Sequence, residues 1–273
     1  MTDLRASPLG HAAAWSEGHD AGLLFPVERA PLRAELGLGE SPPFRGVDLW
    51  NAYELSWLDA SGKPDVAIAA FAVPAESPRI VESKSVKLYL TALNLVRFAS
   101  RDEVAATIAR DLAAATGAPV DVGLTPPGAF ARLPHAELEG DCLDGLVLDG
   151  GDEAPDPGTL ESGGDIVAET LMSRLFRSVC PVTGQPDYAS VQIRYRGRRI
   201  HRARLLRYLV SYRRHPGFHE HCVERIFTDV WRRCGPDALA VYARFTRRGG
   251  IDINPFRTSG PEPSPSNART ARQ

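Results

Sequence analysis

The chain has 273 residues, a formal net charge of −2, and 43% hydrophobic against 24% charged residues. That is the composition of a soluble globular protein of one or two domains. No global field recommends a nucleic-acid or membrane partner, and no apolar run approaches the roughly 20 residues of a spanning helix. The opening MTDLRASPLGHAAAWSEGHD lacks the apolar centre of a signal peptide. The four cysteines, Cys142, Cys180, Cys222 and Cys234, form no CxxC pair. The expectation is a cytoplasmic protein with reduced thiols.

Residues 1–45 are rich in Pro, Gly and charge and predict a surface arm with frayed ends, with a short helix in LRAELGL. A first domain, residues 46–138, is predicted to open with a strand through YELSWLD, turn at SGKP (61–64) and continue in a buried strand, VAIAAFAV. Residues 87–98, with Leu88 and Leu95 on one side, predict a helix. Ser100 followed by Glu103 is a capping box. It opens a second helix through Val104, Ile108 and Leu112, which Gly117 ends. PVDVGL is a further strand. Residues 139–165 are acidic and turn-rich and read as an exposed linker.

A second domain, residues 166–257, follows. TLMSRLFRSV suits helix or strand equally. SVQIRYRG alternates Val191, Ile193 and Tyr195 with Gln192, Arg194 and Arg196, the period of a half-buried strand. HRARLLRYLVSY reads as a helix. The next helix carries Val223, Ile226, Phe227, Val230 and Trp231 on one face. ALAVYARF alternates as a strand and IDINPF completes the domain. The Pro/Ser-rich residues 258–273 predict a disordered tail.

The two domains repeat one pattern: strand, turn, strand, helix, helix, strand. GKPD (62–65) and GQPD (184–187) lie 122 positions apart (184 − 62). This predicts an internal duplication, each copy an antiparallel sheet covered by two helices. At that offset Cys180 falls on Leu58, and Glu82 falls opposite Arg204. Each copy is therefore expected to hold half of one site.

Three stretches carry chemistry. RSVCPVTGQPDY (177–188) places the thiol of Cys180 before a turn and the carboxylate of Asp187 after it. Such a pair can serve as nucleophile and proton-transfer partner; the alternative is a buried structural Cys beside a turn Asp. ESKSVK (82–87) sets Glu82 before Lys84 and Lys87. Its carboxylate can accept two hydrogen bonds from an amidine-like edge such as that of guanine, and the lysines can meet phosphates. HPGFHEHC (215–222) invites zinc, but His219 and His221 are two apart at a helix start and no second ligand pair follows, so no metal is predicted. His219 and Glu220 at that helix start read instead as ligand contacts. Arg194, Arg196 and Arg198 alternate on one strand and read as a solvated face.

Together ESKSVKLYL (82–90), CPVTGQPD (180–187), FHE (218–220) and FTRRGGIDINP (245–255) resemble the NADPH-dependent 7-cyano-7-deazaguanine reductases, the nitrile reductases of queuosine biosynthesis, in their long two-domain form. The resemblance covers residues 48–256. It implies α+β architecture with two tunnelling-fold (T-fold) domains per chain, a homodimer, a small deazapurine substrate, NADPH, and no direct contact with nucleic acid or membrane. It implies that Cys180 forms a covalent thioimide and that Asp187 is the proton donor. It also implies that Val81, Glu82, Ser83, His219 and Glu220 bind substrate, while Ser83, Lys84, Arg248 and Gly249 contact the cofactor. The rivals are a zinc-dependent enzyme resembling GTP cyclohydrolase on the same fold, and a non-catalytic purine- or tRNA-binding module using the Arg-rich strand.

Overall fold

A computed structural model describes residues 18–39, 41–148, 154–262 and 264–273. The start of the expected arm and part of the expected linker lie outside the described residues. The molecule is mixed α+β and divides into two compact units that interleave along the chain rather than following one another. The first holds the residues up to 32, 48–134 and 247–253; the second holds 33–47, 135–246 and 254–273. Among the described residues no helix is long and apolar enough to cross a membrane.

The elements run β1 (Pro26–Glu28), α1 (Arg29–Glu35), β2 (Arg45–Leu58), β3 (Pro64–Pro74), β4 (Arg79–Val81), α2 (Ser83–Ala92), α3 (Arg101–Thr116) and β5 (Asp121–Thr125). They continue with β6 (Asp141–Cys142), β7 (Ser162–Val179), β8 (Pro186–Ile200), α4 (Arg202–Val210), α5 (His219–Cys234), β9 (Ala238–Phe245) and β10 (Ile251–Thr258).

In the first unit the strand order is β5-β3-β2-β10. Trp50, Trp57 and Phe71 from the sheet pack with Val86, Tyr89, Ile108 and Leu112 from α2 and α3. The expected cap forms at Ser100, where Glu103 N donates to Ser100 Oγ at 3.1 Å, but the return bond lies one residue outside the capping-box pattern, Glu103 Oε2 accepting from Ala99 N at 2.7 Å. Gly117 closes α3 with φ +77°, a left-handed conformation that glycine adopts without strain. The expected helix over 87–98 is displaced. It starts at Ser83 and ends at Ala92, and Leu95 is 61% exposed rather than on an apolar side.

In the second unit the order is β10-β9-β8-β7-β6. TLMSRLFRSV resolves as strand within the 18-residue β7, because β8 pairs along it from Ser162↔Ile200 to Val179↔Pro186. Val191, Ile193 and Tyr195 are buried, and Arg194, Arg196 and Arg198 exposed. Strand β9 is buried on both faces, not one. Leu239, Val241, Ala243 and Phe245 face the core under α4 and α5. On the other face Arg244 Nε donates to Gln273 Oε1 at 2.8 Å, and Gln273 Nε2 donates to Asn254 Oδ1 at 2.7 Å. The tail expected to be disordered therefore ends in a buried, hydrogen-bonded side chain. The acidic linker is likewise partly packed: Leu143 and Leu160 are core residues, and Asp144 Oδ1 accepts from Ser173 Oγ at 2.7 Å.

The arm is also built in. In the first unit β1 pairs with β4 in the register Pro26↔Val81, and buried Arg29 meets Asp48 at 2.6 Å. In the second, Leu36, Leu38 and Phe44 join the core, and Arg33 and Arg257 converge on Glu224 at 2.8 and 2.9 Å.

Candidate active site

The thiol end is assembled in the second unit. Strand β7 ends at Val179, whose N–H donates to His215 O at 2.9 Å and whose carbonyl accepts from Gly217 N at 3.0 Å. This short parallel bridge carries the start of α5 to the turn that begins at Cys180. A Cβ at Gly217 would lie 3.0 Å from Cys222 Sγ, so glycine lets the chain entering α5 lie close against that helix. Two backbone bonds close the turn, Cys180 N donating to Gln185 O at 2.8 Å and Gly184 N to Cys180 O at 3.0 Å, and Gln185 N also donates to Thr183 Oγ1 at 3.4 Å. Cys180 is 8% exposed. Asp187, buried, lies opposite Ser178 in the β7–β8 register.

His219 and Glu220 form the first turn of α5, which no side chain caps. The His219 ring stacks on Phe245 at 3.8 Å, and its Nε2 lies 3.4 Å from Asp187 Oδ2. Its Nδ1 is buried and has no hydrogen-bond partner among the described residues. Glu220 is buried beside it. Cys222 is also near, but burial pushes its thiol up to about 12, and the Asp187 charge adds to this. It stays protonated at neutral pH and is no nucleophile. Among the described residues no three His, Cys, Asp or Glu side chains gather on a metal-sized site. The structure thus brings Cys180, Asp187, His219 and Glu220 to one place.

Glu82 and its neighbours belong to the first unit. Glu82 N donates to Phe25 O at 2.9 Å, so the arm fixes its backbone. Its carboxylate is the N-cap of α2: Oε1 accepts from Lys84 N at 2.7 Å and Oε2 from Ser85 N at 2.8 Å. Burial pushes this carboxyl above the usual range, against the pull of those two amides and of Ser83. Val81 is buried at the end of β4. Sequence reasoning missed both the cap and the arm behind it. The signal was Val27, the apolar residue that β1 pairs with Ile80.

One turn further, exposed Lys87 reaches the hairpin between β9 and β10. Gly249 and Gly250 have φ +62° and +80°, and Arg248 N donates to Ile251 O at 2.9 Å. A Cβ at Gly249 would meet Lys87 Nζ at 2.8 Å. Ser83, Lys84, Lys87, Arg248 and the bare Gly249 backbone fit a polyanion such as NADPH. Because Glu82 already occupies the first amides of α2, its phosphates would be held by side chains and the hairpin rather than by that helix end.

Two family models match this chain. Residues 15–124 match the family described as "Nitrile reductase, 7-cyano-7-deazaguanine-reductase N-term", and residues 186–264 match the family described as "QueF-like protein". The chain is 57% identical over 269 residues to the NADPH-dependent 7-cyano-7-deazaguanine reductase of Burkholderia ambifaria, covering 98% of each. The chain belongs to the NADPH-dependent 7-cyano-7-deazaguanine reductases. The reductase of Bordetella pertussis is 55% identical over 271 residues, covering 99% of each. A solved structure, that of the archaeosine synthase QueF-Like in the apo form, matches 37% of this chain and 99% of its own at 20% identity and a TM-score of 0.32. Within this reductase Val81, Glu82, Ser83 and Lys84 fall in the first matched span, and Asp187, His219, Glu220, Arg248 and Gly249 in the second. Cys180 lies between the two spans and inside the full-length match to the reductases.

Proposed function

We propose that this protein reduces the nitrile of 7-cyano-7-deazaguanine to the primary amine of 7-aminomethyl-7-deazaguanine with NADPH, as a step of queuosine biosynthesis. The carrying observation is identity above 50% over nearly the whole length with reductases of that name. The turn that sets Cys180 beside Asp187 and the uncapped start of α5 supports it. Tandem T-fold domains, a homodimer and a cytoplasmic location belong to the same proposal.

In the proposed chemistry Cys180 Sγ adds to the nitrile carbon while Asp187 takes the thiol proton and passes it to the nitrile nitrogen. The linear carbon becomes a trigonal thioimidate, which accepts a hydride. Expulsion of the thiolate leaves an imine, which accepts a second. Bound NADPH supplies the two hydrides in two equivalents, and two protons complete the amine. Ser83, Lys84, Arg248 and Gly249 hold the cofactor. Val81, Glu82, Ser83, His219 and Glu220 bind the deazapurine; the buried Nδ1 of His219 and the carboxylates supply directed polar contacts. Phe245 holds the His219 ring flat, which limits its freedom to one hydrogen-bonding direction.

The test is NADPH oxidation on adding 7-cyano-7-deazaguanine, followed by absorbance. Mass spectrometry of protein with substrate but no NADPH should locate an adduct on the peptide bearing Cys180. No oxidation, or an adduct on another cysteine, overturns the proposal.

A further inference from the structure

The hairpin that carries Arg248 and Gly249 presents a second arginine. Arg247 is exposed, and its guanidinium lies over the Tyr53 ring, 4.7 Å from the centroid. It forms no ion pair with any described residue. Tyr53 is itself fixed: its hydroxyl donates to Asp252 Oδ2 at 2.6 Å, and Asn51 Nδ2 donates to Oδ1 of the same buried carboxylate at 2.8 Å. Tyr53 N also donates to Gly250 O at 2.9 Å, which clamps the hairpin to strand β2. A Cβ at Gly250 would meet the Glu54 carboxylate, whereas one at Gly249 would meet Lys87. The turn therefore has a cationic side at Gly249 and an acidic side at Gly250.

An exposed arginine gains little from lying on an aromatic face, and nothing in the fold needs its charge. What the stack does is hold the planar guanidinium in one orientation with its N–H fork open to solvent. That preorganises it for a bidentate contact to a phosphate. Arg247 precedes Arg248 in the hairpin whose Gly249 lies against Lys87, and we infer that Arg247, held by Tyr53, is the residue that reads the 2′-phosphate of the nicotinamide cofactor and so sets preference for NADPH over NADH. This rests on the proposed cofactor contacts at Arg248 and Gly249.

The experiment measures binding of adenosine 2′,5′-bisphosphate and of 5′-AMP by calorimetry, in wild type, Arg247→Ala and Tyr53→Leu, with thermal melts to show that each variant is folded. The wild type should prefer the 2′-phosphorylated nucleotide. Arg247→Ala should lose roughly tenfold in affinity for it, the loss of one charge-assisted contact, with 5′-AMP affinity unmoved. Tyr53→Leu should lose part of that preference while keeping the charge. The KM for NADPH should rise in parallel while the KM for NADH does not. Unchanged discrimination in folded Arg247→Ala overturns this inference alone. A wild type that neither binds the bisphosphate nor oxidises NADPH overturns the proposed function and this inference with it.

Discussion

The molecule builds one turn twice, and the two versions end differently. In the first unit Leu58 bridges Arg97, with Leu58 N donating to Val96 O and Phe98 N to Leu58 O, both at 2.9 Å. In the second, Val179 bridges Pro216 with the same pair of bonds to His215 and Gly217. The residue after the bridge is Asp59 in one and Cys180 in the other. Cys180 is therefore the counterpart of Asp59, not of Leu58 as the constant offset of 122 predicts. The Asp59 turn closes from Gly62 N to Asp59 O, three residues on; the Cys180 turn closes from Gly184 N, four residues on. The extra residue explains the shift. The Asp59 side chain is consumed by its own turn, Oδ1 accepting from Ser61 N and Lys63 N at 2.9 and 3.0 Å, and bonds from Ser61 and Lys63 hold its carboxyl below the usual range. The Cys180 turn is instead closed at both ends by backbone bonds, Cys180 N to Gln185 O and Gly184 N to Cys180 O.

The helix that follows shows the same contrast. The start of α3 is sealed by Ser100 and Glu103, whereas the start of α5, 118 positions on (219 − 101), has Phe218 at its N-cap and no side-chain cap. A sealed start stabilises; an open one, with its partial positive charge, is available to a ligand. The largest test of this comparison is at the turn. Cys180→Ala should abolish turnover, by on the order of a thousandfold or more, and should eliminate the adduct, while substrate binding by calorimetry persists. Adduct formation in that variant would sink the assignment. Asp187→Asn should keep the fold, since the turn is backbone-closed, and lose about a hundredfold in kcat, the usual worth of a positioned proton donor. If its kcat matches wild type, the proton comes from another group.

A smaller test uses the buried pair that both units share. Tyr89 donates to Asp111 Oδ2 at 2.7 Å, and Tyr208, 119 positions on (208 − 89), donates to Asp229 Oδ2 at 2.6 Å. The surroundings differ. Burial raises Asp111, but His19, Tyr89 and Arg110 together bring it below the usual range. Burial leaves Asp229 above it, with Tyr208 the chief opposing group. Tyr208→Phe, which also breaks the bond to Tyr212 at 2.7 Å, should cost about 1–3 kcal/mol by leaving buried groups unpaired. Tyr89→Phe should cost less, because His19 and Arg110 stay on Asp111. Equal losses in denaturant unfolding would refute the ranking.

Features decided within a few residues were readable in the sequence. The Ser100 cap, the Gly117 stop and the apolar face of α5 formed where their residues predict, whereas the turn expected at Gly184-Gln185-Pro186 sits at residues 181–183, with Pro186 already in β8. What could not be read was non-local. The Pro/Ser tail packs because Gln273 finds Arg244 and Asn254, and the acidic linker because Leu143 and Leu160 reach the core. The start of α2 was misplaced because glutamate is not among the favoured N-caps. Its counterpart cap in the second unit is His201, 119 positions on (201 − 82), rather than Arg204, because the offset drifts from 122 at the turn to 119 at the first helix.

That cap separates a structural from a recognising role for Glu82. Burial raises its folded pKa above the unfolded value. The stability linked to this group is therefore fully present below the unfolded pKa and is lost as pH rises through the folded one. Glu82→Gln cannot ionise and keeps an oxygen for one of the two amides. From neutral pH downward through the range just above the ordinary carboxylate value, the wild type should gain stability relative to Glu82→Gln, as read by paired denaturant titrations. Across the same range, wild-type affinity for the deazapurine should fall as the carboxylate is protonated and gives up an acceptor. The affinity of Glu82→Gln should start lower at neutral pH and stay flat. A stability difference that moves with pH while the two affinities remain parallel would make Glu82 a helix cap and nothing more.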